Sequence, residues 1–214
     1  DAGSLLYHEL LKFGIVSLTS GYVIMDADET IGWSYIAKQI DGTVLPQPMG
    51  VFHQETDVMR AIGQSWKKQE PFFIIQMDEA DTIAHQTFIA ERTINFNMSA
   101  EELIAVTPRR LVIQTFNFKQ GYLEIIGADP LSEGQIDMLV RFARVFEMTY
   151  QRFLDLQKAE AQAREAQIEA ALEKVRSRSL AMQKPGELTE VAELLRKEMG
   201  QLGVEELETS SIYI

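Results

Sequence analysis

The sequence predicts an α+β protein, an antiparallel sheet flanked by helices and followed by a long C-terminal coiled-coil helix. Two hairpin patterns, at 15–40 and 110–127, supply the sheet, and helical apolar spacings precede, separate and follow them. From Gln135 to Lys184 no glycine or proline interrupts a helical pattern, far beyond the roughly 8–20 residues of an ordinary globular helix.

Along the chain, Leu5, Leu6, Leu10 and Phe13 recur at helical spacing, and Gly14 follows as a C-terminal cap. Ile15 to Met25 is β-branched and aromatic, Asp26-Ala27-Asp28-Glu29 has turn chemistry, and Ile31 to Ile40 completes a hairpin. Asp41-Gly42-Thr43 with Pro46 and Pro48 reads as a loop, and Met49 to Phe52 as a short strand. Val58, Met59, Ile62 and Trp66 line a helix over Thr56 to Lys68, and Pro71 precedes the strand-like run Phe72 to Met77. Middle helices are expected over Glu79 to Phe96 and Asn97 to Ala105, the second capped by Ser99 with Glu101 and Glu102 in its first turn. Arg110 to Phe118 and Tyr122 to Gly127 flank Lys119-Gln120-Gly121, where the glycine suits a positive φ.

Ser132 caps the long helix. Ile136, Leu139, Val140, Ala143, Phe146, Tyr150 and Phe153 give it a broad face suited to docking on a sheet. Beyond that, Leu154, Ala161, Ile168, Val175 and Met182 repeat every seven residues, accompanied by Leu172, and make a dimerising seam. Lys158, Glu165 and Ser179 in companion positions leave a solvated single helix as the alternative. The expected organisation is a domain over 1–153, a coiled-coil helix over 154–184 and a second domain, cut short, over 185–214. The last part repeats the first: LLRKEMGQLGV from Leu194 to Val204 aligns without a gap on LLYHELLKFGI from Leu5 to Ile15, and a strand-like run follows each. The apolar face of Leu188, Val191, Leu194, Leu195 and Leu202 then needs a cover. A partner chain is the expected one, by helix pairing or by exchange of the run Leu207 to Ile214.

With 214 residues, 46% hydrophobic and 24% charged, the chain is long enough for one packed domain plus more. It has no cysteine, which excludes disulfides, thiolate metal sites and thioether-linked chromophores. A formal charge of -12 disfavours nucleic acid, and no window approaches a membrane span, so a cytoplasmic location is expected.

This order of helix, hairpin, loop with middle helices, second hairpin and exit helix resembles a GAF domain over residues 1–153. The segment Ala170 to Leu188, AALEKVRSRSLAMQKPGEL, resembles the linker between tandem GAF domains in bacterial sensor kinases. The resemblance implies a two-component-type sensory module that reports on a small molecule or partner to an output module, commonly a histidine kinase or cyclase. Two branches of the family fit poorly. Cyclic-nucleotide binders carry an Asn-Lys pair followed later by a Phe that three residues separate from Asp-Glu, whereas here four residues separate Phe73 from Asp78-Glu79 and no Asn-Lys pair exists; bilin attachment needs a cysteine.

Chemistry has no nominee. His8-Glu9 superficially matches a histidine-kinase phosphoacceptor, but no Gly-rich ATP-binding segment follows and Lys197 replaces the histidine in the repeat. Nucleophile elbow, P-loop and zinc-helix signatures are missing. His53 and His85 have no partners at metal-ligand spacing, though a carboxylate-assisted site or haem ligation stays open for either. Candidate ligand-binding residues are Tyr22, Trp33, Tyr35, Phe52, Phe73, His85, Phe88 and Arg92, with Phe72 and Phe96 on the same enclosing elements. Arg92 suits an anionic ligand or an ion pair with a neighbouring acid. No cofactor is nominated. The leading expectation is a non-catalytic sensory module working as a parallel homodimer; the alternative is a structural dimerisation spacer whose pocket is filled.

Overall fold

The computed structural model describes residues 2–38 and 47–203. Two compact units divide the chain, Asp1–Thr149 and Tyr150–Ile214.

In the first unit, helix α1 (Ala2–Lys12) closes through Gly14, whose φ of 70° lets its N–H reach the Leu11 carbonyl while Ile15 N–H reaches that of Leu10. This double closure holds Ile15 against Leu10 in the core, so strand β1 starts later than the β-branched run suggests, at Thr19–Met25. It pairs with β2 (Ile31–Lys38) across a turn in which Asp26 Oδ1 accepts from the N–H groups of Thr30 and Ile31. Residues 39 and 40 of the expected strand lie outside the described residues. Next come β3 (Met49–Phe52), α2 (Asp57–Lys67), β4 (Phe73–Met77), α3 (Glu79–Arg92), α4 (Ala100–Val106), β5 (Leu111–Phe118) and β6 (Gly121–Gly127). Among the described residues these strands form one antiparallel sheet in the order β3-β2-β1-β6-β5-β4.

Three local expectations meet different outcomes. Ser99 caps α4 in a reciprocal capping box with Glu102. Helix α3 ends at Arg92 although its apolar spacing continues, because Ile94 exchanges two backbone hydrogen bonds with Gly50 at the sheet edge and Asn95 turns to φ 61°. Gly121 is not needed for a positive φ. Its place follows from packing, since a Cβ there would lie 1.8 Å from the Val23 carbonyl oxygen on β1.

Both sheet faces are covered, each with its own core. On one, Leu10 and Ile15 join Phe116, Phe118, Leu123 and Ile125 of the sheet and Leu139 and Ala143 of α5 (Glu133–Leu180), with Ile136, Val140 and Phe146 packed around them. On the other, Met59, Ile62 and Trp66 of α2 pack on Val23, Met77, Leu111, Ile113 and Tyr122. The Trp66 indole donates to the Phe118 carbonyl at 3.0 Å, closing that end of the layer.

The second unit comprises the remainder of α5, a 3-10 turn at Pro185–Glu187 and α6 (Leu188–Gln201). Tyr150 and Phe153, expected to dock on the sheet, belong to this unit, where their rings lie 6.1 Å apart and Phe153 is 51% exposed. Helix α6 returns antiparallel along α5: Arg178 pairs with Glu187 and Glu190, and Lys174 Nζ meets Glu198 at 2.9 Å. Ala171, Val191 and Glu198 are buried, and Ile168, Val175, Met182, Leu188, Leu194, Leu195 and Leu202 are half-buried. Helix α5 thus covers part of the apolar face of α6 within the same chain. Leu154 is half-buried, while Ala161 and Leu172 are exposed. The run Leu207 to Ile214 lies outside the described residues.

Candidate functional site

Strand alternation sends Val23, Ser34, Ile36, Leu111, Ile113, Tyr122, Glu124 and Ile126 to the sheet face that α2, α3 and α4 cover. Helix α2 lies close on this face, but α3 and α4 stand off it. Between them and the sheet is a cavity of about 930 Å³. Its far wall is His85, Gln86 and Ile89 of α3, residues 95–98 of the connecting segment, and Leu103 and Val106 of α4; Met49 and Val51 close one side. The volume is at the upper end of the ~300–1,000 Å³ of small-molecule sites, and the lining is mainly apolar with a few polar groups, as such sites are.

Two sheet residues set the chemistry of the floor. Tyr122 is buried, and its hydroxyl lies 2.8 Å from His53 Nε2, while His53 Nδ1 lies 3.1 Å from the Val51 carbonyl. A carbonyl only accepts, so Nδ1 carries the hydrogen, and in the neutral ring Nε2 accepts from Tyr122. Burial pushes the His53 pKa down to about 4, which keeps the ring neutral at pH 7. Burial, and secondly the charge of Glu124, raises that of Tyr122. Glu124, two residues along β6, has no hydrogen bond or ion pair with any described residue. Burial alone pushes its pKa up to about 7, although the cavity leaves its carboxylate partly accessible.

On the opposite wall His85 is buried, its Nδ1 has no partner, and burial lowers its pKa to about 4. The Ser34 hydroxyl is likewise buried without a partner. An unpaired polar atom buried in protein is costly by about 1–3 kcal/mol, and two such atoms, with the partly accessible Glu124 carboxylate, lie around one cavity. Comparison with family models, with curated proteins and with solved structures finds no match for this chain.

Among the eight residues nominated from sequence, His85 lines this cavity. Tyr22 and Tyr35 stack on each other at 4.9 Å on the opposite face, where Tyr22 also touches Phe146 of α5. Trp33 and Phe52 share that opposite face by register, Trp33 across from Ile24 and Phe52 across from Ile31. Phe73 and Phe88 pack at the margin of the α2-side core without lining the cavity. Arg92 is held at the surface by a two-pronged pair with Glu55, at 2.8 and 2.9 Å. Phe96 does line the cavity. Glu124 was missed. Its signal was present in the alternation Tyr122, Glu124, Ile126, in which a lone charge occupies one face of an otherwise apolar strand. Both His53 nitrogens are engaged, and no cluster of three or more His, Asp or Glu able to hold a metal exists among the described residues. No helix among the described residues is long and apolar enough to cross a membrane.

Proposed function

We propose that the chain is a cytoplasmic sensory module of GAF-like architecture, whose first unit binds a small molecule in the cavity between β6 and α3. The observation that carries this reading is the cavity itself: about 930 Å³ with Glu124, His85 and Ser34 unpaired around it. A structural spacer would have no need of such a space. The role is regulatory and not catalytic. Binding would alter the packing of α3 and α4 over the sheet, and a parallel homodimer would transmit the change through α5 to an output module such as a histidine kinase or cyclase. The exposed Leu172, together with Ala161, offers seam positions that α6 leaves open. Exposure of the purified protein to a metabolite mixture, followed by mass spectrometry of retained molecules, tests the reading. Retention is expected, and its loss when Ile126→Trp fills the cavity. A protein that retains nothing, and whose stability rises with that substitution, would favour the spacer.

A further inference from the structure

Resting on the reading of the cavity as a ligand site, we infer that its ligand is a largely apolar molecule bearing one protonated amine, and that the amine sits on the Glu124 carboxylate.

The argument begins with the charge around the cavity. Among the described lining residues none is Lys or Arg. The titratable groups that face Glu124 from the surrounding elements are Tyr122 on its own strand, His85 on α3, and His53 behind Tyr122. Tyr122 is protonated and donates its hydrogen to His53, and both histidines are neutral. A ligand carboxylate or phosphate would therefore meet no counter-charge among the described lining residues, and a carboxylate on the floor. Burying an unpaired anion is among the most unfavourable things a cavity can do.

A ligand cation meets the reverse situation. Glu124 accepts no hydrogen bond from any described residue, and the one hydroxyl across the ladder, that of Thr115, is itself without a partner. Across the ladder it faces Gly21 on β1, which has no side chain, and Thr115 on β5. An ammonium group brings donors and charge together, and charge-assisted bonds of this kind are roughly twice as strong as neutral ones. Val23, Ile36, Met49, Ile113 and Ile126 accept the apolar body. Burial keeps part of the empty protein protonated at Glu124 near neutral pH, and an incoming ammonium displaces that proton to solvent.

The test compares three probes of one shape by calorimetry on the intact chain: phenylbutylamine, phenylbutanol and phenylbutyrate. The amine should bind at least about 10-fold tighter than the alcohol and the carboxylate least. Its binding should release protons, seen as a difference in heat between phosphate and Tris buffers. Glu124→Gln should weaken the amine about 10–100-fold and the alcohol at most about 3-fold, with unchanged circular dichroism as the check that the protein is still folded. If the alcohol or the carboxylate binds as well as the amine, or the amine is indifferent to Glu124→Gln, the amine inference is overturned and the ligand-site reading survives. If no probe binds the wild-type chain, both fall.

Discussion

Glu124→Gln should make the unliganded protein more stable, and increasingly so as pH rises. In the folded chain burial raises the Glu124 pKa from 4.5 to about 7, so the folded state binds this proton more tightly than the unfolded state. Stability is therefore fully present below the unfolded value and is lost as pH climbs through the folded one. The whole difference corresponds to about 3 kcal/mol, and water reaching the carboxylate through the cavity reduces it to about 1–3 kcal/mol. Between about pH 5.5 and about pH 8.5 the wild type should lose about 1–2 kcal/mol that the glutamine variant retains. That range stays above the sequence pI of 4.7, where loss of net charge would favour precipitation. The assay is urea denaturation followed by tryptophan fluorescence, because Trp33 and Trp66 both lie in the first unit and report on it alone. A difference between the two proteins that stayed constant with pH would refute the argument, since the desolvated carboxylate would then not be the group that titrates.

Gly121→Ala should destabilise the first unit by about 2–4 kcal/mol, because the new methyl has no space before the Val23 carbonyl; Gly134→Ala, with open surroundings in the first turn of α5, should stabilise by up to about 1 kcal/mol. The same denaturation assay separates them, and equal effects would count against the close approach. Tyr122→Phe should cost about 1–3 kcal/mol by leaving His53 Nε2 without its donor, and NMR titration should find that ring still neutral at pH 6. Leu172→Asp, at a position 50% exposed, should dissociate the proposed homodimer in light scattering without disturbing α6; a dimer that persisted would place its contact elsewhere.

Residues that govern their own neighbourhood were legible in the sequence. Gly14 stops α1, Ser99 and Glu102 start α4, Asp26 to Glu29 turn the first hairpin, and the run without glycine or proline gives α5 its length, because caps, turns and breakers act within a few bonds. Alternation likewise fixed which residues share a face of each strand. It did not tell which face would carry the cavity. In a sheet covered on both sides, each face is apolar, and Tyr22 and Tyr35 fit a packed layer under α5 as well as they fit a pocket wall. Only the distance at which α3 and α4 stand off the sheet separates the two, and that distance depends on side chains from many elements at once. The end of α3 is of the same kind, since Ile94 leaves the helical pattern for a partner, Gly50, more than 40 residues away in the chain. Glu124 is the sharpest case: its sequence identity makes it a carboxylate, but its missing donors and its raised proton affinity arise from what the folded chain places, and does not place, around it.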